Sequence, residues 1–318
     1  MPKPFLSVID QVNLLKSWGL TFGDPANAQI YLLKNNYYNV VNCFSKFLED
    51  STDHYLDNST FEEITAIHTY DTEIKSVFLK SSLKIENYFK SLVSHFFSQY
   101  TSGSSYSYLD PTNYERTYIK DVTNLITDLN KLIDAEKIKP NNAVAHYYNV
   151  HNDVPLWVLI NFMTFGQTLR LFKFCKNNIK YEITHNMNIL INNNLNISTI
   201  RLTPKELYII MDNIKNFRNI LAHNNKLFDF RSRYNYPYIS EIHDKLGIKN
   251  NSPKQNIYNT FVIMRLFLVD GDYAILNNSI RKRGNNLKHK LHSIDINIIT
   301  ASLGFPSGWL LKPVIPQK

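Results

Sequence analysis

Glycine is scarce in this chain, and so is cysteine. Nine glycines among 318 residues fall well under the ~7% of average usage. The shortage counts against Rossmann folds, barrels and propellers, which need glycine at tight turns and phosphate loops. Two cysteines, Cys43 and Cys175, stand far apart, which excludes a disulfide framework and a cysteine-based zinc site. The ten histidines contain no HExxH and no Cys/His cluster. His289 and His292 are three apart, but in a strongly basic stretch that repels a cation. Walker A, GxSxG and GxGxxG patterns are absent, so neither a metal nor a cofactor is expected. No run approaches the ~20 apolar residues of a membrane span, and the N-terminus lacks a signal-peptide pattern. The chain therefore reads as soluble and cytoplasmic, with no membrane partner.

What the chain does have is helical periodicity. With 44% hydrophobic and 19% charged residues it can bury a core, which excludes wholesale disorder. Apolar residues recur at three- and four-residue steps in 7–17 and 26–49, the second carrying the stripe Tyr37, Val40, Val41, Phe44 and Leu48. Thr60 with Glu63 has capping-box spacing at the head of a long segment through Ile64, Ile67, Ile74, Phe78, Ile85, Phe89 and Phe96. The run 101–111 reads as a loop, helices are expected at 112–134 and 155–178, and KPNN at 139–142 is a polar turn. Thr203-Pro204-Lys205-Glu206 is a full helix start signal, followed by Leu207, Ile210, Ile214, Phe217 and Leu221. That helix is expected to close near Asn224 and Asn225. Beyond it lie an aromatic-basic loop at 231–238, a helical stretch at 255–280, a basic loop at 281–290 and an irregular tail with Pro306, Pro313 and Pro316. The fold class is all-α, a helical bundle. No internal repeat or long linker divides it, so 1–318 is expected to be a single unit. Its parts are an N-terminal helical region to about 100, a core from about 110 to 280, and the loop and tail from 281.

Charge is distributed unevenly. The net charge is +8, yet residues 201–318 hold 18 Lys and Arg against 8 Asp and Glu, while acids concentrate between Glu49 and Glu73. A basic C-terminal third suits a polyanion. Arg281, Lys282, Arg283, Lys288 and Lys290 are expected to grip an RNA backbone, because Gly284, Asn285 and Asn286 argue for a loop there. Arg231 and Arg233, interleaved with Tyr234, Tyr236 and Tyr238, form a second candidate patch in which tyrosines would stack on unpaired bases.

One short pattern carries chemistry, Arg218-Asn219-Ile220-Leu221-Ala222-His223. The apolar stripe through Phe217 and Leu221 leaves Arg218 and Asn219 off the core face, and His223 falls in the last turn, where the helix dipole suits a cation. An arginine that binds phosphate bidentately and a titratable imidazole within one and a half turns match the needs of RNA cleavage. The plain alternative is an exposed arginine with a C-capping histidine.

The surrounding residues resemble the Abi-like abortive infection family of bacteria (the AbiD/AbiF type). Gln11, Leu14-Leu15-Lys16, Gly19-Leu20 and Asn36-Tyr37-Tyr38 are similar to the family's opening region. Phe61 to Ile64, Tyr70-Asp71, Ile85-Glu86 and Tyr108-Leu109-Asp110 follow at family-like spacing. Pro155-Leu156-Trp157-Val158 with Phe165-Gly166 resembles the family's PPLWV…SFG signature, and Arg218-Asn219 to His223 fills its RNxxxH slot. Where the family usually reads RN-x-CAHH-x-RLWN, this chain has Asn224, Lys226 and Phe228 at the second His, the Arg and the Trp. The resemblance implies a HEPN-like helical bundle with additional N-terminal helices, acting as a metal-independent endoribonuclease in which the RNA 2′-hydroxyl attacks its own phosphodiester. It implies that His223 is the general acid or base, that Arg218 stabilises the transition-state charge and that Asn219 orients His223 or holds a phosphate oxygen. It further implies a homodimer pairing two Arg–His sets, with RNA as substrate and, in some members, a structured RNA as regulator. A five-residue offset is about 140° around a helix, so a site composed from two chains is physically sensible. The alternative reading is a non-catalytic RNA-binding or scaffold protein of a defence system.

Overall fold

A computed structural model describes residues 5–51, 53–101, 104–223 and 225–312, and among them are thirteen α-helices and one short β-ribbon. In chain order the first elements are α1 (Val8–Ser17), α2 (Pro25–Asn35), the antiparallel strands β1 (Glu49–Ser51) and β2 (His54–Tyr55), and α3 (Phe61–Tyr100). Next come α4 (Ile119–Lys137), α5 (Ala143–His151), α6 (Leu156–Leu159), α7 (Phe165–Phe174), α8 (Asn177–Leu195) and α9 (Pro204–Ala222). The last are α10 (Ser240–His243), α11 (Ile257–Phe267), α12 (Asp270–Lys288) and α13 (Ile296–Ser302), followed by a 3₁₀ turn at Trp309–Leu311. The all-α class expected from periodicity is what the chain adopts.

Helix α3 is the axis of the molecule, 40 residues long, and α7, α8, α9, α11 and α12 all pack against it. Its start is the capping box read from sequence. Thr60 Oγ1 accepts from Glu63 N at 3.2 Å, and Glu63 Oε2 accepts from Thr60 N at 3.0 Å. The inward stripe Ile64, Ile67, Ile74, Phe78, Ile85, Phe89, Val93 and Phe97 is buried along the whole length, and one contiguous apolar cluster extends from Val12 to Trp309. Helix α9 begins in the same way, with Thr203 and Glu206 bonding reciprocally and Pro204 in the first turn. Leu207, Ile210, Ile214, Phe217 and Leu221 form its buried face.

Several sequence expectations need correction. The stretch 26–49 is not one helix. Asn36 adopts a left-handed φ of 65°, a conformation that interrupts a helix, and a π turn at Tyr38–Asn42 and a 3₁₀ turn at Ser45–Phe47 follow. Val40, Val41, Phe44 and Leu48 are buried nonetheless. Two expected helices are interrupted or shortened, since α4 starts only at Ile119 after two 3₁₀ turns and 155–178 divides into α6, α7 and the head of α8. The stretch 255–280 divides between α11 and α12 at Leu268 and Val269.

The largest correction concerns 281–290, expected as a basic loop. Residues 281–288 are the last turns of α12. Asn277, Ile280, Arg281, Gly284 and Leu287 make a buried inward stripe, so tertiary packing overrides the ~1 kcal/mol that a helical glycine costs relative to alanine. The Leu310 side chain of the C-terminal turn packs directly over the glycine, where a Cβ would lie 2.6 Å from Leu310 Cδ2 and push that side chain aside. The closing residue expected at Asn224 lies outside the described residues, as do Ser102 and Gly103 of the 101–111 loop and Pro313 to Lys318 of the tail. Asn225 N–H does bond Ile220 O at 3.2 Å, the six-residue closing bond of a Schellman-type end.

Candidate active site

Helix α9 presents Arg218 and Asn219 half-buried on the face beside its apolar stripe, while His223 is its exposed C-cap residue. Arg218 Nη1 donates to Asn219 Oδ1 at 3.3 Å. Its Nε lies 3.2 Å from Glu86 Oε2 on α3, an ion pair rather than a hydrogen bond. Glu86 is buried, and its other oxygen meets Lys90 Nζ at 2.9 Å. Lys90 in turn donates to Met163 O at 2.7 Å, two residues ahead of Phe165. Phe165 packs on Phe89, their ring centroids 6.1 Å apart, and Gly166 lies beside the stem of Lys215 on α9. Two stretches that are separate motifs in the sequence, Ile85-Glu86 and Arg218-Asn219, therefore meet at one guanidinium, and a third, Phe165-Gly166, packs nearby on Phe89 of α3 and Lys215 of α9.

A second acid of α3 braces the chain just beyond His223. Asp71 Oδ1 accepts from Leu227 N at 2.9 Å, and its other oxygen pairs with Lys75 at 2.7 Å in the interior. Burial pushes the Asp71 carboxyl above the usual range despite the lysine, which acts in the opposite sense. Phe228 is buried against Phe44 and Phe47, with ring centroids 5.6 and 5.2 Å away, and Lys226 pairs with Asp229. Phe228 is thus a packing residue. Beside this loop a cavity of about 670 Å³ opens between α2 and α3, lined among others by Lys34, His68, Asp71, Lys75, Asn225 and Lys226. Burial lowers the pKa of His68, whose Nδ1 meets Tyr31 Oη at 2.7 Å.

Sequence reasoning missed Glu86, Lys90 and Asp71 as parts of this site. A signal was present, because carboxylates at 71 and 86 fall within the apolar stripe of α3, where an unpaired charge is costly.

The two basic patches fare differently. Arg231 and Arg233 are exposed on the loop that follows α9. That loop is fastened to α9 by Asn213, which bonds both the N–H and the carbonyl of Tyr234 at 3.1 and 2.9 Å, and Phe230 packs on Phe217 at 5.1 Å. Tyr236 is fully buried, with its hydroxyl on Thr260, so it cannot stack on a base; Tyr238 lies against His243 and bonds Asp244. Lys282 and Lys288 on α12 and Lys290 just beyond it are exposed, but Arg283 pairs with Glu73 and Arg281 is buried over Trp309. Arg281 therefore has no exposed face for an RNA backbone, a consequence of the helix that replaces the expected loop. Among the described residues no three His, Cys, Asp or Glu side chains gather closely enough to hold a metal ion, and no helix is long and apolar enough to cross a membrane.

The fold and the site together define an all-α protein with an Arg-Asn/His helix end braced by buried acids. Residues 30–229 match the family model of Abi-like proteins, and the chain belongs to that family, whose members serve abortive infection in phage defence. The matched region contains α3, α9 and the entire braced segment, and it ends before Arg231 and α12. No curated protein and no solved structure matches the chain.

Proposed function

We propose that this chain is a metal-independent endoribonuclease of HEPN type, acting in phage defence. The observation that carries the reading is the braced helix end: Arg218 is held between buried Glu86 and Asn219, and His223 is exposed at the terminus five residues on. In the reaction the 2′-oxygen of one nucleotide attacks the adjacent phosphorus as its proton is removed. The bond from phosphorus to the 5′-oxygen breaks, and that oxygen takes up a proton. The products are a 2′,3′-cyclic phosphate and a 5′-hydroxyl. His223 serves one or both proton transfers. Arg218 offers two N–H groups to the non-bridging oxygens, where charge accumulates, and Glu86 fixes its direction beforehand. Asn219 orients the arginine through the contact already formed. Arg231 and Arg233, fastened alongside α9, supply phosphate contacts for the flanking strand.

Two chains pair through the α9 region in this proposal, and a structured RNA is a fitting regulator of a toxic activity. The test is to express the wild type, Arg218→Ala and His223→Ala and to map RNA ends. The wild type should cleave in EDTA and leave cyclic phosphates, and each variant should lose at least a hundredfold in rate. Strict dependence on Mg²⁺ with 5′-phosphate products would overturn the mechanism. Unchanged RNA binding by a wild type that never cleaves would favour the scaffold reading.

A further inference from the structure

On the far side of α12 from α3's acids, a second cavity of about 480 Å³ opens among the end of α8, α10, α11, α12 and the C-terminal turn. Its walls are aromatic. Tyr258, Phe261 and Trp309 all line it, with Phe261 and Trp309 edge to face at 5.7 Å. Arg281 also lines it, only 4% exposed, and its guanidinium carbon is 4.6 Å from the Trp309 ring centroid. Nε and Nη1 of Arg281 are buried and have no hydrogen-bond partner among the described residues. An arginine in that condition is costly, since its N–H groups have left water without replacement. The neighbouring Arg265 is not in this state, because it pairs with Asp270 and donates to Leu268 O.

The rim repeats the sign of the interior. Lys245 and Lys312 stand at the mouth, and Glu241 is the only acid among the described lining residues. Glu241 is already engaged, first by the Thr199 hydroxyl and then by Ser240, which hold its carboxyl below the ordinary range. An apolar pocket with few placed polar groups is the usual form of a small-molecule site. Here the placed group is a buried cation, so the complement is a buried anion.

We propose that this pocket binds a small aromatic anion, a planar ring system bearing one acidic group, with the acid on Arg281 and the ring against Tyr258, Phe261 and Trp309. The site does not depend on the ribonuclease reading, and it lies outside the stretch matched by the family. Ligand binding would add to the contacts that already hold the C-terminal turn on α11 and α12, through Phe261 and Arg281 on Trp309 and through Gly284 under Leu310.

The test uses the full chain and two probes, 1-anilinonaphthalene-8-sulfonate followed by fluorescence and adenosine 5′-monophosphate as its competitor. The wild type should bind the sulfonate saturably at one site. Displacement by the nucleotide would assign the site to nucleotides, and sulfonate binding without displacement would assign it to non-nucleotide aromatic acids; both support the proposal. Arg281→Met fills the same space without charge, and such replacements of buried charges are often neutral or stabilising. It should leave the melting temperature equal or higher while weakening binding at least tenfold. Should that variant fail to fold, Lys245→Ala, at an exposed rim position, should weaken binding severalfold and reduce its salt dependence. Absence of saturable binding to the wild type, or equal affinity in Arg281→Met or in Lys245→Ala, would overturn the proposal.

Discussion

The charges that matter most in this molecule are the ones withdrawn from its surface. Glu86 receives two cations, Lys90 from its own helix and Arg218 from α9, and the two pairings are not equivalent. Removing Arg218 leaves Glu86 compensated by Lys90. Removing the Glu86 charge leaves Lys90, 13% exposed, facing an uncompensated Arg218. Glu86→Gln should therefore destabilise the fold by on the order of 3 kcal/mol. Arg218→Ala should cost about 1 kcal/mol, as expected for a partly exposed partner. Denaturant melts of the two variants compare them directly, and an equal or smaller loss in Glu86→Gln would show that α9 holds its arginine without help from α3. This pairing was only half legible in the sequence. Arg218 and His223 stand out by spacing and by lying off an apolar stripe, whereas Glu86 requires knowing which helix lies opposite. Arg281 follows the same rule: a cluster of cations looks solvated until the packing shows which of them points inward.

At the scale of elements, local signals were decisive at helix starts and weak at helix interiors. The boxes at Thr60/Glu63 and Thr203/Glu206 were readable because capping is chemistry between near neighbours. Gly284-Asn285-Asn286 have the composition of a loop, and nothing local reveals that Leu310 packs over the glycine. Helix α8, with its buried Ile179, Ile183, Met187 and Ile191, escaped notice among polar asparagines. Glu63 joins both kinds of information, since it closes the α3 box with one oxygen and with the other accepts from His292 N, Ser293 N and Ser293 Oγ at 2.7 to 2.9 Å. Burial pushes its carboxyl upward, but these hydrogen bonds outweigh burial and hold it below the ordinary value. A depressed folded pKa contributes stability above the unfolded pKa of about 4.3, and that stability is lost as pH falls through the folded value. Glu63→Gln should thus be less stable than the wild type at neutral pH and should show a shallower loss of stability below pH ~4. Parallel acid limbs for the two proteins would mean that Glu63 does not couple protonation to folding.

For the whole molecule, the proposed reaction requires a helix whose Arg218 and His223 diverge by about 140° to bring both to one phosphate. Helix α9 cannot bend to align them, since Phe217 is locked against Phe78 at 5.2 Å and against Phe230. The C-terminal end of α9 is uncovered, with Ala222 and His223 both exposed and Arg218 half-buried one turn before them. A twofold pairing of chains across that end would set Arg218 of one copy opposite His223 of the other, giving two sites per dimer. Complementation separates this arrangement from a site built within one chain. Arg218→Ala and His223→Ala proteins, each inactive alone, should regain activity when co-expressed. Each mixed dimer then contains one intact Arg218/His223 combination, and random pairing limits recovery to about a quarter of the wild-type rate. No recovery, in a mixture shown by differential tagging to contain mixed dimers, would mean that each chain must supply its own arginine and histidine. A wild-type monomer that retains its full rate on dilution below the dimerisation range would lead to the same conclusion, and the reaction would then require α9 to rearrange around its packed face.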